Sequence, residues 1–324
     1  MMKGLFTSVA VLGLGFHLGA ASLVLEQTIP LPGVEGRIDH FSLDASGARL
    51  FVAALGNNTV EVVDLKHGKV LRSLAGFAEP QGVLYLPELN RLYVAGGGDG
   101  TVRIVDGTSY TTLKTVFVGD DADNLRTDSP GKQVYVGYSS GALGVLDAAS
   151  GEWVARLPLA AHPESFQLEQ AGPRIFVNVP GAHAVAVVDR QQQRVVANWS
   201  TGLAAANFPL ALDESHHRLF VACRLPARLL VFDTLSGKEV ARLDLHGDCD
   251  DLFHDAAHNR LYASCGEGFI DVFAPANAGE FKRVESVRTE ARARTCFCTA
   301  EILYLAVPRR GDRPAEIRCY RLGP

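Results

Sequence analysis

Arg49-Leu50-Phe51-Val52-Ala53 returns along the chain as Arg91-Leu92-Tyr93-Val94-Ala95, Gln133-Val134-Tyr135-Val136-Gly137 and Arg174-Ile175-Phe176-Val177-Asn178. It continues as Arg218-Leu219-Phe220-Val221-Ala222, Arg260-Leu261-Tyr262-Ala263-Ser264 and Ile302-Leu303-Tyr304-Leu305-Ala306. The aromatic positions, 51, 93, 135, 176, 220, 262 and 304, stand 42, 42, 41, 44, 42 and 42 residues apart. A period held over seven copies marks a repeat architecture, in which each unit buries its apolar faces against its neighbours.

Working outward, each unit places a strand before the aromatic one, such as Ile38 to Leu43, across a polar turn. A third strand follows and ends on Asp: Val60 to Asp64, Val102 to Asp106, Leu143 to Asp147, Val185 to Asp189 and Leu229 to Asp233. An Asp there can accept the backbone N–H groups of the next residues and start a turn. Gly68, Gly151 and Gly237 supply the positive φ that completes it. A fourth strand closes the unit. Several strands are apolar at nearly every position, the pattern of strands buried on both faces. Four short strands per 42 residues, with every sheet sandwiched between others, predicts an all-β, seven-bladed β-propeller of four-stranded antiparallel blades over residues 22–324.

The seventh unit has three strands, around Thr295 to Thr299, Leu303 to Val307 and Ile317 to Tyr320, and lacks the fourth. Leu23 to Ile29 has strand character and no unit of its own. It is expected to pair beside Ile317 to Arg321 and lock the ring. Before it, residues 1–21 read as a signal peptide, with Lys3, an apolar run from Leu5 to Leu18, and small residues at Gly19-Ala20-Ala21. The expectation is a periplasmic or secreted monomer with no membrane span after cleavage. A net charge of −5 gives no reason to expect nucleic acid as a partner.

Arg49-Leu50-Phe51-Val52-Ala53, then Asn57 to Asp64, then Gly68-Lys69-Val70 resembles the repeat of the YVTN-family β-propellers, the group containing YncE-like proteins. The resemblance runs from about Arg37 to Leu322. Unit seven departs from it, since Cys296-Phe297-Cys298 fills its inner strand. The resemblance implies a seven-bladed, commonly exported propeller. It implies no reaction, because one fold hosts many functions.

In such a ring the first strands lie nearest the axis, so their opening residues surround the mouth of the central channel. In order these include Asp39 and His40, Glu79 and Gln81, Asp123 and Asn124, and His162 and Glu164. Asn207, Asp250 and Asp251, and Arg292 and Arg294 follow. The candidate ligand site is His40, Gln81, Asn124, His162, Glu164, Asn207, Asp250, Asp251 and Arg294. The second-strand side adds Asn57, Asp99, Cys223, Cys265, Glu267, Arg309 and Arg310. A funnel with convergent polar groups suits a small molecule or a protein partner. Loops at any propeller mouth are also polar simply because they are wet.

Oxygen ligands and histidines there would also suit a divalent cation, although no cofactor is required and no HxH, CxxC or HExxH spacing occurs. Three functions stay open. The first is a non-enzymatic binder at the mouth. The second is a metal-dependent lyase or lactonase with the cation in the mouth and His40 or His162 moving a proton. The third is a scaffold in an envelope redox assembly. All six cysteines lie in the last third, and Cys249 with Cys265 is the candidate disulfide. From Lys282 onward there are 10 basic and 5 acidic residues, whose arginines are expected to pair with the acids of neighbouring blades.

Overall fold

A computed structural model describes residues 22–44, 46–128, 131–276 and 280–323. The signal-peptide reading falls on residues 1–21, outside the described residues. The described residues form seven four-stranded antiparallel sheets. The first is Phe41–Leu43, Arg49–Ala54, Thr59–Asp64 and Lys69–Ala75, and the next five follow in sequence order. The seventh sheet holds Cys296–Cys298, Ile302–Val307, Ala315–Leu322 and, as its outer strand, Leu23–Leu31. Leu23 pairs with Leu322 and Leu31 with Ala315, so the first and last described strands share one blade.

What closes the circle is burial between sheets. Each of seven apolar clusters draws on two adjacent blades, and the set runs without a gap around the ring. The repeated aromatics sit in these clusters, with Phe51, Tyr93, Phe176, Phe220 and Tyr262 wholly buried. This explains the loss of period-two patterning, because second and third strands face a neighbouring blade on each side. Among the described residues no helix is long and apolar enough to cross a membrane.

The turn aspartates act as expected. Asp106 accepts the N–H groups of Thr108 and Ser109 at 3.0 and 2.7 Å, and Asp189 those of Gln191 and Gln192, both at 2.8 Å. Those donors favour the ionised form and hold both carboxyls below the usual range. Gly68, Gly151 and Gly237 adopt φ of 63°, 66° and 71°.

The repeat's leading arginine has a use that the spacing did not disclose: in four units it ties its blade to the next. Arg49 Nη1 donates to Gly107 O at 2.6 Å and Tyr110 Oη at 2.8 Å in the second blade. Arg91 reaches Ala148 O at 3.2 Å in the third, Arg174 reaches Thr234 O at 2.5 Å in the fifth, and Arg260 reaches Gly323 O at 2.9 Å in the seventh. Arg49 is also held by Asp44, Nε to Oδ2 2.9 Å. Charged hydrogen bonds of this kind contribute roughly 1.5–3 kcal/mol each. Arg49→Met is therefore expected to destabilise the protein by about 2 kcal/mol, read as a lowered urea midpoint at unchanged slope. A midpoint within error of wild type would show that the arginine does not tie the blades.

Candidate functional site

The inner strands are short, three to nine residues, and the loops feeding them enter at one end of the ring. There they enclose an axial cavity of about 410 Å3. Arg37 and Leu55 come from the first blade, Glu79 and Gln81 from the second, Asp121 and Asp123 from the third, and His162 and Glu164 from the fourth. Phe208 and Arg224 come from the fifth, Asp250 from the sixth and Arg294 from the seventh. All seven blades contribute to one space. Further along the same inner strands lies a second cavity of about 150 Å3, lined by His40, Ser42, Arg126, Gln167, Asp251 and Phe297 among others.

Between the two stands His40. Its Nε2 lies 3.7 Å from Asp39 Oδ1 and 3.9 Å from Asp123 Oδ1, and its Nδ1 3.8 Å from Asp251 Oδ1. Those separations exceed hydrogen-bond range. Asp39 is 1% exposed and pairs with Arg37 at 2.7 Å. Asp251 Oδ2 accepts the Cys296 N–H at 2.8 Å. Asp123 is 7% exposed, and its Oδ1 has no hydrogen-bond partner.

Burial dominates the electrostatics of this column. It pushes Asp123 up to about 8, with Asp39 and Glu164 adding repulsion against the pull of His40 and Arg37. Glu164 rises to about 7, through burial first and then Asp250, despite Arg224. Asp39 and Asp251 are also raised by burial. In the same low-dielectric interior Arg126 is lowered, with Asp251 and Asp123 opposing the shift.

The arginines at the mouth are already engaged. Arg294 meets Asp248 at 2.7 Å and Asp250 at 3.0 Å. Arg224 pairs with Asp250, lies 3.4 Å from Asp248, and stacks over Phe208 at 4.2 Å. This is the cross-blade pairing expected from the charge distribution. Arg309 pairs with Glu35 and Arg310 with Glu290, away from the cavity.

Of the residues expected at the mouth, Gln81, His162, Glu164, Asp250 and Arg294 line the cavity. His40 and Asp251 lie deeper, against the second cavity. Gln81 Nε2 donates to Asp121 Oδ1 at 2.9 Å, and His162 Nδ1 donates to Ser139 O at 2.7 Å. Asn207 does not reach the mouth. It is fully buried and donates to Asn178 Oδ1 at 3.1 Å and Ala184 O at 3.0 Å, joining the fourth and fifth blades. Asn124 is buried as well and lines neither cavity.

Asn57 and Asp99 make local contacts, to Thr59 at 3.0 Å and Arg103 at 2.9 Å. Glu267 accepts the Gly247 N–H at 2.7 Å. Arg37, Arg224, Asp121 and Phe208 are site residues that the reading of strand starts missed.

Cys249 and Cys265 were the candidate disulfide. The two face each other in register, but both are free, each thiol lying 3.6 Å from a carbonyl of its own strand, that of Asp251 or Ala263. They pack in the apolar cluster between the fifth and sixth blades, where a thiol behaves as a small hydrophobe. Burial raises Cys223 to about 12 and Cys249 and Cys296 well above the usual thiol range, so none is a ready nucleophile.

The chain is 30% identical over 127 residues to the uncharacterised protein YncE of Salmonella typhi, an alignment covering 39% of this chain and 36% of that protein. With YncE of Escherichia coli O157:H7 it is 29% identical over 159 residues, covering 44% and 45%. It is a YncE-like β-propeller. The chain thus matches less than half the length of these curated relatives. No family model matches it.

Solved structures agree on the fold alone. A chain of Kuenenia stuttgartiensis hydrazine synthase superposes with a TM-score of 0.75 at 19% identity, covering 86% of this YncE-like chain and 93% of that one. A chain of a mitotic checkpoint complex gives 0.79 at 15% identity, covering 100% and 98%.

Proposed function

We propose that this YncE-like propeller is exported and binds a small ligand or protein partner at the polar mouth of its axial cavity, without catalysing a reaction. One observation carries the reading: side chains from all seven blades converge on a single space of about 410 Å3, within the ~300–1,000 Å3 range of small-ligand sites. The leader-like residues 1–21 support export.

Metal-assisted chemistry gains nothing from the geometry, because among the described residues no three His, Cys, Asp or Glu side chains converge closely enough to hold a metal ion. A redox scaffold gains nothing from the buried, high-pKa thiols.

A thermal-shift panel of amines, organic acids, sugars and nucleotides on the mature protein tests the proposal. A ligand at a hundred times its Kd adds about 2.7 kcal/mol to stability. At least one compound class is expected to raise the melting temperature by several degrees in the wild type and not in a Glu164→Gln, Arg224→Gln variant. A panel without effect, or shifts undiminished in that variant, would overturn the assignment.

A further inference from the structure

The lining of the mouth is unbalanced in charge. Three arginines, Arg37, Arg224 and Arg294, face five carboxylates, Glu79, Asp121, Asp123, Glu164 and Asp250. All three arginines are committed, Arg37 to Asp39 and the other two to Asp248 and Asp250. Among the described residues, none of Glu79, Asp121, Asp123 and Glu164 has a lysine or arginine within ion-pair distance; Asp121 has only Gln81 as donor and His162 Nε2 at 3.7 Å. Of these four, Asp123 is 93% buried; the residue lines the cavity, and its Oδ1, shut off from solvent 3.9 Å from His40 Nε2, has no hydrogen-bond partner. A buried polar atom left in that state is costly unless something arrives to pair with it.

We propose that the axial cavity takes an aliphatic polyamine, with ammonium groups held by Asp123 and Glu164 inside and by Glu79 and Asp121 at the entrance. The inference rests on reading the mouth as the ligand site and names its chemical class. An anion would meet arginines already paired and four acidic side chains that no arginine or lysine offsets. A single metal ion would need ligands that converge, and these do not. A chain of methylenes carrying separated charges suits acids that come from three successive blades, the second to the fourth, and the apolar wall that Leu55 and Phe208 contribute.

The protonation of the site agrees with this. Asp123 and Glu164 are pushed up to about 8 and about 7, each held neutral by burial and by the other acids around it. Asp123 is faced by His40, Asp39, Glu164 and Arg37, and Glu164 by Asp250, Arg224, Asp39 and Asp121. An ammonium group entering beside them displaces their protons to solvent. Binding therefore releases protons and strengthens as the pH rises from 6 to 8.

Calorimetric titration of the mature protein with spermidine, in buffers of different ionisation enthalpy, tests the proposal. Saturable binding is expected, at least tenfold tighter at pH 8 than at pH 6, with net proton release. Asp123→Asn and Glu164→Gln should each weaken it at least tenfold at pH 8. Glu88→Gln, in an exposed turn outside the cavity, should leave it unchanged. Each variant's melting temperature without ligand verifies folding. No spermidine binding at pH 8, or binding that survives both inner substitutions, overturns the proposal. Citrate is titrated in parallel. If citrate binds and Arg224→Gln abolishes it, the mouth is a ligand site and the amine assignment is wrong. If neither probe binds and the wider panel is silent, the reading of the mouth falls as well.

Discussion

Removing residues 22–31 is expected to lower the melting temperature by more than about 10 °C or to prevent folding altogether. The strand Leu23–Leu31 buries Ile29 and Leu31 completely and Leu23 almost so, in the two clusters that flank the seventh blade. Truncating one such side chain costs about 2–5 kcal/mol. Three lost together rival the 5–15 kcal/mol that typically separates a folded domain from its unfolded chain. Deletion would also strip Ala315–Leu322 of its partner and open a long strand edge. Ile29→Asp should reproduce most of the loss, while Thr28→Ala, on the exposed face of the same strand, should stay within about 0.5 kcal/mol. A truncated protein that melts with the wild type would show that the ring does not need its seam.

The second large effect concerns pH. Asp123 and Glu164 hold protons in the folded protein that they surrender, near pH 4, when unfolded. Between about pH 4 and their folded values of about 8 and 7, the native state binds more protons than the unfolded state. Stability then falls as pH rises, by up to about 1.4 kcal/mol per pH unit for each such group. Asp39 and Asp251, also raised, add to the same trend.

The turn aspartates act in the opposite sense. Asp44 and Asp213 are lowered despite partial burial, so their contribution is present above pH 4 and lost as pH falls through their folded values. Urea midpoints of the unliganded protein should therefore peak in mildly acidic solution and decline toward pH 8. An Asp123→Asn, Glu164→Gln variant should flatten that decline and exceed the wild type in stability at pH 8. A wild-type profile flat from pH 5 to 8 would mean that the column is already ionised.

Blade number and seam were legible because both depend on burial, which leaves a period in the aromatics and an orphan strand at the amino terminus. The mouth was legible in part, because the opening residue of an inner strand faces the axis in a regular blade. Irregularity defeated the rest. The strand Ala205–Asp213 shifts register between Asn207 and Leu210, which turns Asn207 into the interface between blades. In the same blade Arg218–Leu225 runs to eight residues where the other second strands have six, and the extension carries Arg224 over the cavity. Arg37 precedes its strand and was reachable only through its pairing with Asp39. The Cys249–Cys265 juxtaposition was legible because strand register is a matter of pattern, whereas oxidation is not.

A crystal structure of the protein soaked with the compound that gives the largest thermal shift is the most direct test of the axial site. Density is expected on the propeller axis, within contact of Glu164 and Asp123. Density confined to the outer strands or to the opposite end of the ring would contradict it.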